Sequence, residues 1–530
     1  MSVRLPLLTI VILMCLFLNS CQEEKQNPYE NISLEAFSAL SKPDYAVNSR
    51  RIRENLERLI RNDIDSMSAD RRTRGYYRER KPFMWIDRHG VDDRADTLLY
   101  YIAQVADMGL STEKFRLGQM QKDLQRIRTL DVGGNDSVKD INRVLARLEY
   151  NLTKAYFRYA AGMSYGFVNP AKVLNTYDVQ YSDSLRTVYH KLYDVKIDRA
   201  GDLFYAKAIC KVAHDSVGIF LSQMQPHNSL YRQLQQRLLS ADVSSGERVK
   251  LLCNMERCRW REGANIDKLD RYVLVNIPAF KLRAVCPDST MEMRVGCGTY
   301  KTKTPLLTSE IMRMDINPEW IVPRSIIEKD VARHAGSVSY FERQRMYVRD
   351  RKTGKRIPPY AVTWGMLHNE RYLVIQEGGE GNSLGRIIFR FENNFSVFLH
   401  DTSSRSFFSR DNRGVSHGCV RVERPLDLAL FLLDGQDEET IEKVTYSMTA
   451  RLSREHLEKK NEDEDIELLE EEDEPIDRSK LIRSVKVEPK VPLFIAYYTV
   501  YPDLEGQLRD YPDVYGYDKV IYRQLRNYLD

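Results

Sequence analysis

The stretch over residues 395–433, FSVFLHDTSSRSFFSRDNRGVSHGCVRVERPLDLALFLL, decides how the rest of the chain is interpreted. It places Cys419 on a glycine-containing turn, and His400 near the end of an apolar run that is typical of a strand. His417 and Arg421 lie two residues before and after the cysteine. A cysteine that short strand and loop connections bring close to a histidine is the arrangement that thiolate catalysis needs. The stretch therefore predicts a nucleophilic site.

The residues of this stretch favour distinct roles. A thiol with an ordinary pKa is mostly protonated at neutral pH, so Cys419 needs a neighbouring base or a positive field. We prefer His400 as the base over His417, because a strand fixes a side chain better than a turn does. Gly418 permits a tight turn, so the N–H groups of Gly418 and Cys419 are candidate oxyanion donors. Arg421 offers a planar, charged fork that suits a carboxylate.

Composition limits the class of protein. The 530 residues are 42% hydrophobic and 10% aromatic, which is typical of a globular chain with more than one domain. The net charge is +4, with 29% charged residues of both signs. No basic excess favours a nucleic-acid partner, so that partner is excluded.

Residues 1–21 have the layout of a secretory signal, with Arg4 followed by an apolar run over residues 5–18. The ending Leu18-Asn19-Ser20-Cys21 resembles a bacterial lipobox, which makes Cys21 the predicted lipidated residue. A plain cleaved signal and an uncleaved anchor are the alternatives, and all three place the folded part outside the cytoplasm. Gln22 after the cysteine resembles the sorting signal for the outer membrane, so we expect a periplasmic protein anchored there by lipid.

Residues 31–267 show the apolar spacing of helices and are predicted to form an all-α domain. The helical segments are 49–67, 92–109, 138–161, 201–224 and 228–241. Cys210, His214, Cys253 and Cys258 have a loose zinc-like spacing, but buried free cysteine is the preferred interpretation. We therefore expect no metal and no cofactor.

At Arg271 the pattern changes to short β-rich runs, which predict a catalytic domain over residues 271–450. The predicted strands are 272–277, 280–285, 291–300, 372–376, 386–391 and 395–400, and a helix from Pro425 is predicted to bury Leu426, Leu430 and Leu433. Residues 326–367 are a candidate lid or a solvated excursion. Residues 451–485 are acid-rich and are predicted to be a disordered insertion, and residues 486–530 are predicted to be a last strand and a tail that return to the catalytic domain.

Ser416-His417-Gly418-Cys419-Val420-Arg421, preceded by Leu399-His400-Asp401-Thr402, resembles the catalytic signature of the L,D-transpeptidases with a YkuD-type domain. The resemblance extends to residues 254–260, 273–278, 303–305, 317–323, 382–386 and 514–518. These segments are similar to a large periplasmic subgroup whose catalytic domain follows a helical scaffold domain. The resemblance implies an α+β chain, with an all-α scaffold followed by a β-rich domain of mixed-sheet or sandwich type.

The resemblance also implies a reaction on peptidoglycan stem peptides. Cys419 attacks a tetrapeptide donor at the L-centre of meso-diaminopimelate, and the side-chain amine of a second stem takes the acyl group to give a 3→3 cross-link. His400 moves the proton and His417 assists. Asp401 orients His400 through its side chain or its backbone. Substrate contacts are implied for Arg421, Ser416, Asp401, Trp320 and Asn382, and carbapenems are implied as inhibitors that acylate Cys419.

Two other functions stay open at this point. A cell-wall cysteine peptidase or L,D-carboxypeptidase passes the acyl group to water, and a non-catalytic wall-binding lipoprotein does not need its nucleophile. The presence of both Cys419 and His400 disfavours the second. The acceptor also stays open, because cross-linking, D-amino-acid exchange and protein tethering all use the same thioester.

Overall fold

The computed structural model describes residues 46–87, 90–129, 140–177, 179–181, 187–189, 192–260, 266–450 and 476–529. The chain divides into two compact units. The first comprises the described part of residues 1–165 with 199–226 and 527–529, and the second comprises 166–198 and 227–526. The predicted signal with Cys21, and residues 451–475 of the predicted acidic insertion, lie outside the described residues. No helix within the described ranges is long and apolar enough to cross a membrane.

The chain up to residue 260 is mainly helical. Its helices are α1 (Ser49–Asn62), α2 (Ser68–Arg78), α3 (Asp93–Ala103), α4 (Leu117–Thr129), α5 (Ile141–Tyr165), α6 (Pro170–Asn175), α7 (Asp202–Ala213), α8 (Val217–Met224), α9 (Ser229–Leu238) and α10 (Ser245–Arg259). Short strands also occur: β1 (Ile86–Asp87), β2 (Gly90–Val91), β3 (Val179–Tyr181), β4 (Thr187–Tyr189) and β5 (Tyr193–Asp194). The expected N-terminal helical domain is confirmed.

Helix α5 is the centre of the first unit, because it is buried on nearly every face and packs against α1, α2 and α4. Its charged side chains are paired: Lys154 Nζ lies 2.8 Å from Asp63, and Arg158 Nε lies 2.6 Å from Asp70. Such pairing removes the cost of burying single charges. The predicted continuous segment over residues 201–224 is instead two helices, α7 and α8, because Asp215 between them has φ +48°.

The second unit contains the β-rich domain. Its strands are β6 (Tyr272–Asn276), β7 (Lys281–Cys286), β8 (Ser289–Gly298), β9 (Leu306–Ile316), β10 (Trp320–Ile321), β11 (Met346–Asp350), β12 (Arg356–Ile357), β13 (Tyr372–Gln376), β14 (Ile387–Phe391), β15 (Leu399–His400), β16 (Gly414–Ser416), β17 (Val420–Val422), β18 (Ser484–Ala496), β19 (Val500–Pro502) and β20 (Leu508–Asp510). Its helices after residue 300 are α11 (Arg324–Ile326), α12 (Val338–Arg343), α13 (Trp364–Leu367), α14 (Pro425–Leu432), α15 (Glu438–Thr449) and α16 (Tyr517–Leu525).

The main sheet has the order β14-β15-β17-β8-β7-β6-β18-β9-β5, and β16 pairs with β8. A second pairing, of β14 with β9, closes eight of these strands into a ring. The sheet is mixed, because β15 runs parallel to β17 and β18 runs parallel to β6, whereas β6, β7 and β8 are antiparallel. The expected β-rich domain with a mixed sheet is confirmed.

The predicted lid over residues 326–367 belongs to a separate four-stranded sheet of order β10-β13-β11-β12. Its own apolar core includes Val322, Phe341, Val348, Leu367 and Val374. A core of this kind excludes the alternative of a solvated excursion. Strand β13, predicted as part of the catalytic sheet, pairs with β10 and β11 of this small sheet instead.

Three local predictions in the second unit are wrong in detail. The predicted strand over residues 395–400 is reduced to β15, because Asn393 Oδ1 accepts from the backbone N–H groups of Phe395 and Val397 and holds a wider turn. The eleven-residue strand β9 was not predicted, since Ser, Glu, Arg and Asp interrupt its apolar pattern. Leu433 is buried as predicted, but helix α14 buries Leu428 and Leu432, whereas Leu426 is half-buried and Leu430 is exposed.

Candidate active site

A tight turn between β16 and β17 carries Cys419. Ser416 Oγ donates to the Cys419 carbonyl at 2.5 Å and accepts from the Gly418 N–H at 3.1 Å, so one hydroxyl closes the turn. Gly418 has φ +126°, a conformation that residues with a Cβ rarely adopt. The local sequence Ser-His-Gly-Cys therefore specifies the turn through one hydroxyl and one glycine.

The register of two parallel strands brings His400 to the same face as the cysteine. His400 in β15 is the direct partner of Arg421 in β17. Paired residues of parallel strands project to one face, so His400 and Arg421 share a face. Cys419 lies directly before β17 and two residues from Arg421, where continued alternation puts its side chain on that face as well. No hydrogen bond joins the Cys419 thiol to the imidazole among the described residues, and such bonds in free enzymes commonly shorten only when substrate binds.

The hydrogen bond at Nδ1 decides the tautomer of His400. This nitrogen bonds the backbone carbonyl of Asp401, which can only accept, so Nδ1 carries the proton. Nε2 is then the unprotonated nitrogen, as a general base requires. Asp401 thus orients His400 through its backbone, one of the two routes predicted from the sequence.

The carboxylate of Asp401 has a different task. Its Oδ2 accepts from the Arg386 N–H at 2.9 Å, and its Oδ1 lies 3.3 Å from Arg405 Nη1. A Cβ on Gly385, which has φ +65°, would lie 2.4 Å from this side chain. The carboxylate therefore holds the turn before β14, and its buried position does not fit the predicted substrate contact.

Burial is the largest cause of the pKa shifts of His400 and Cys419. Burial first, and then the positive charge of Arg421, lower the pKa of His400 to about 4, against the backbone carbonyls of Asp401 and Leu384. Burial raises the pKa of the Cys419 thiol, while the Phe398 backbone and Arg421 oppose this rise. At neutral pH the resting site therefore holds a neutral thiol beside a neutral imidazole.

Arg421 is the charged group nearest to this chemistry. Its side chain is half-buried with the Phe407 ring 5.8 Å away, and its buried Nε has no hydrogen-bond partner among the described residues. Burial lowers the pKa of its guanidinium, although the group stays charged at neutral pH. An unpaired, buried guanidinium N–H next to a nucleophile is suited to an anionic ligand group.

His417 is exposed, and its ring makes no hydrogen bond to another described residue. This position fits the assisting role implied for His417 and not the role of base.

Three other residues with predicted roles use their polar groups in hydrogen bonds within the protein. The Gly418 N–H donates to Ser416 Oγ, so it does not serve as the predicted oxyanion donor, and Ser416 itself is buried in the turn. Asn382 is fully buried, with Nδ2 on the Glu377 carbonyl and Oδ1 on the Leu384 N–H. These bonds correct the predicted substrate contacts of Ser416 and Asn382, because neither side chain is free to meet a ligand.

Trp320 lies in β10 of the small sheet and packs against that sheet's core while staying half-buried. The predicted substrate contact of Trp320 stays a prediction. The six described cysteines, Cys210, Cys253, Cys258, Cys286, Cys297 and Cys419, are free thiols. Cys297 is fully buried and burial raises its pKa to about 12, so Cys419 is the half-buried thiol that sits beside a histidine and an arginine.

Two residues at the site had no predicted role. Thr304 Oγ1 donates to the Gly418 carbonyl at 2.8 Å, and Tyr515 OH donates to the Gly298 carbonyl at 2.7 Å. Both lie in segments that the sequence resemblance marks, 303–305 and 514–518. That resemblance was the available signal, but it did not say what the residues contact.

Models of two protein families match the chain: a scaffold domain over residues 71–238 and the L,D-transpeptidase catalytic domain, YkuD, over residues 270–444. A curated protein of Haemophilus influenzae, named "Putative L,D-transpeptidase", is 26% identical over 365 residues, which cover 65% of this chain and 67% of that protein. A solved structure of the Ldtfm-avibactam carbamoyl enzyme is 11% identical and covers 51% of this chain and 74% of its own. Its TM-score of 0.19 is too low to support an argument. The chain therefore carries a YkuD L,D-transpeptidase catalytic domain that follows an N-terminal scaffold domain.

Proposed function

We propose that the protein forms 3→3 cross-links between peptidoglycan stem peptides, with Cys419 as the nucleophile. The observation that carries the proposal is the shared face of Cys419 and His400, on which the imidazole presents an unprotonated Nε2. The L,D-transpeptidase catalytic domain supports the substrate class. The neutral resting pair supports proton transfer during the attack, because neither group is charged beforehand.

In the first half-reaction, the thiol proton passes to His400 Nε2 as Sγ bonds the carbonyl carbon at the L-centre of the donor's diaminopimelate. The oxyanion then collapses, the C–N bond to D-alanine breaks, and His400 returns its proton to the leaving amine. In the second, the amine of another stem attacks the thioester, its proton passes to His400, and the S–C bond breaks. General acid–base catalysis of this kind contributes typically about 10²–10⁴-fold.

Arg421 is proposed to bind an anionic group of the donor. Its unpaired Nε and the field it places on both Cys419 and His400 support this role. A carboxylate near Arg421 partly neutralises that field, so substrate binding raises the pKa of His400 and prepares it to accept the thiol proton.

The small sheet with its helices is proposed as a lid. It has an independent core, so it can move as a body, and it exposes Tyr360 and Trp364 at 74% and 62%. Trp364 stacks on His368 with ring centroids 3.7 Å apart. Exposed rings of this kind support contact with a ligand that arrives from solvent.

The cellular setting is also a proposal. Residues 1–21 support export and lipidation at Cys21, so the proposed location is the periplasm, with a lipid anchor in the outer membrane. Labelling cells with a fatty-acid analogue tests this: wild type is expected to carry label and Cys21→Ser to lose it. Label on neither chain would overturn the lipid anchor.

The function is tested by intact-mass analysis of the mature protein after incubation with a disaccharide tetrapeptide, and separately with a carbapenem. Wild type and the matched control Cys286→Ala are expected to gain an acyl adduct and to yield dimers with a 3→3 bond. Cys419→Ala is expected to gain none while keeping its circular dichroism spectrum. Products that have lost D-alanine without dimers would replace the proposal with an L,D-carboxypeptidase. No adduct with either compound would overturn the enzyme proposal.

A further inference from the structure

The Gly418–Cys419 peptide is held from its carbonyl side. Gly418 donates its own N–H within the turn, whereas its carbonyl accepts from Thr304 Oγ1 at 2.8 Å. The carbonyl of Gly418 and the N–H of Cys419 belong to the same trans peptide unit, which is planar. Fixing one end of the unit therefore fixes the direction of the other.

The Cys419 N–H makes no hydrogen bond to another described residue. Since the Gly418 N–H is occupied, the Cys419 N–H is the member of the predicted donor pair that stays available for an oxyanion. Such a donor is effective only when its direction is set before the reaction. The contact that sets it is the hydroxyl of Thr304.

Thr304 is itself fully restrained. It is fully buried, and its hydroxyl accepts from the Gly298 N–H at 2.8 Å while donating to Gly418. A hydroxyl has one proton to donate, so both of these bonds have a defined direction. The segment is also tightly packed, because a Cβ on Gly298 would lie 2.0 Å from the Thr302 carbonyl oxygen.

Tyr515 closes the same segment from the C-terminal part of the chain. Its hydroxyl donates to the Gly298 carbonyl at 2.7 Å and accepts from the Thr304 N–H at 3.1 Å. The ring is buried, and the Tyr515 N–H donates to Tyr497 OH at 2.7 Å. One phenol thus joins both ends of the 298–304 segment.

Behind Tyr515, a buried polar network extends to helix α10. Thr499 Oγ1 donates to Asp518 at 2.6 Å, Asn254 Nδ2 donates to Thr499 at 2.7 Å, and Arg257 lies 2.6 Å from Asp518. Asn254, Arg257 and Asp518 belong to the segments 254–260 and 514–518, which the catalytic steps above do not use. Buried hydrogen-bond networks make a structure rigid and unique, although Arg257 Nη2 in this one has no hydrogen-bond partner among the described residues.

We infer that Thr304 and Tyr515 are positioning residues that aim the Cys419 N–H at the oxyanion formed on the donor carbonyl. The inference rests on the proposed function, since it assigns a role within acyl transfer to Cys419. Thr304 acts through the Gly418 carbonyl, and Tyr515 acts through Thr304 and Gly298. Neither side chain is required to touch substrate.

Two reactions of the Cys419 sulfur distinguish a residue that aims the oxyanion donor from a residue that only stabilises the fold. Acylation by a carbapenem joins Sγ to the β-lactam carbonyl carbon, passes through an oxyanion, breaks the ring C–N bond and moves the thiol proton to that nitrogen through His400. Alkylation by iodoacetamide joins Sγ to the methylene carbon and releases iodide and the thiol proton, with no oxyanion. A positioning residue for the oxyanion donor affects the first reaction and spares the second.

The test measures both rate constants at Cys419 by peptide mass spectrometry, in wild type, Thr304→Val, Thr304→Ser and Tyr515→Phe. Removing an oxyanion donor entirely costs about 10²–10³-fold, so misdirecting it by Thr304→Val is expected to slow acylation at least about tenfold. Thr304→Ser keeps the hydroxyl and is expected to stay within about threefold of wild type. Tyr515→Phe is expected to fall between the two, and alkylation is expected to change less than about twofold throughout.

Tyr300→Phe is the matched control, because Tyr300 is exposed and its hydroxyl bonds no described residue other than Tyr177, whose hydroxyl lies 3.3 Å away. If wild type is acylated and Thr304→Val is acylated at the same rate, the inference is overturned and the proposed function stands. Equal losses of acylation and alkylation would reduce Thr304 to a structural residue. If Thr304→Val fails to fold, Tyr515→Phe and Thr304→Ser decide by the same comparison. No acylation of wild type would overturn the inference together with the function.

Discussion

The low pKa of His400 has a consequence that can be measured directly. Burial and Arg421 bring this pKa from 6.5 to about 4. A general base must be unprotonated to act, so the acylation rate of Cys419 is expected to fall on acidification only as pH approaches 4. At pH 5 about 90% of His400 is unprotonated with a pKa of about 4, against about 3% with the ordinary value. The structure therefore predicts a rate at pH 5 that is roughly 30-fold higher than an unperturbed histidine would allow.

The assay is the second-order rate constant of carbapenem acylation, followed by stopped-flow absorbance between pH 4 and 8. Arg421→Gln removes the positive field, so the pKa of His400 rises and the acid limb moves toward neutral pH. Arg424→Gln is the control, because Arg424 is exposed and does not contribute to the His400 pKa. An acid limb with a midpoint near 6.5 in wild type would refute the reasoning, as would identical profiles for wild type and Arg421→Gln.

Four further outcomes are expected. His400→Ala should lower the acylation rate at least about 10²-fold, whereas exposed His417→Ala should change it less than about threefold. Asp401→Asn should stay within about threefold in the same assay, because the backbone carbonyl, and not the carboxylate, accepts from His400. In Gly418→Ala the added Cβ has space, because its nearest neighbour, Val397 Cγ2, lies 3.6 Å away. The φ of +126° at this position is unfavourable for alanine and should cost about 1–3 kcal/mol of strain. We expect slower acylation and a lower midpoint of urea unfolding. In the scaffold, burial raises the pKa of Glu149 to about 7, so its stabilising contribution is complete below pH 4.5 and is lost as pH rises through 7. Between pH 5 and 8 the free energy of unfolding of wild type should therefore fall by up to about 3 kcal/mol relative to that of Glu149→Gln. Amide hydrogen exchange at Met84 and Trp85, whose N–H groups donate to Glu149, measures this free energy. A difference between the two proteins that does not change with pH would contradict the prediction.

Sequence patterns predicted the fold where a local periodicity and the tertiary structure agree. The helical spacing before residue 260 and the β-rich runs after residue 271 are both present in the structure. The sequence pattern failed where a single local contact or backbone angle decides where a helix or strand ends. Asn393 shortens the strand that ends at His400, and Asp215 separates α7 from α8. The solvated alternative for residues 326–367 failed because its scattered apolar residues meet only after that segment folds on itself.

The sequence by itself determined the turn that carries the cysteine and the match of residues 270–444 to the YkuD catalytic domain. Ser416, Gly418 and Cys419 are local, and their chemistry can be stated without coordinates: a hydroxyl that closes a turn, a residue that accepts positive φ, and a thiol. Residue types at short spacing carry such information because the interactions lie within a few peptide units.

Only the tertiary structure decided the protonation and direction of the reacting groups. The strand register sets His400 beside Arg421, burial lowers the pKa of His400, and the Asp401 carbonyl selects the tautomer. Thr304 and Tyr515 reach the turn from positions 114 residues before Gly418 and 217 residues after Gly298. Burial, electric fields and the aim of a peptide N–H depend on atoms that are distant along the chain and close in space, so no local pattern encodes them.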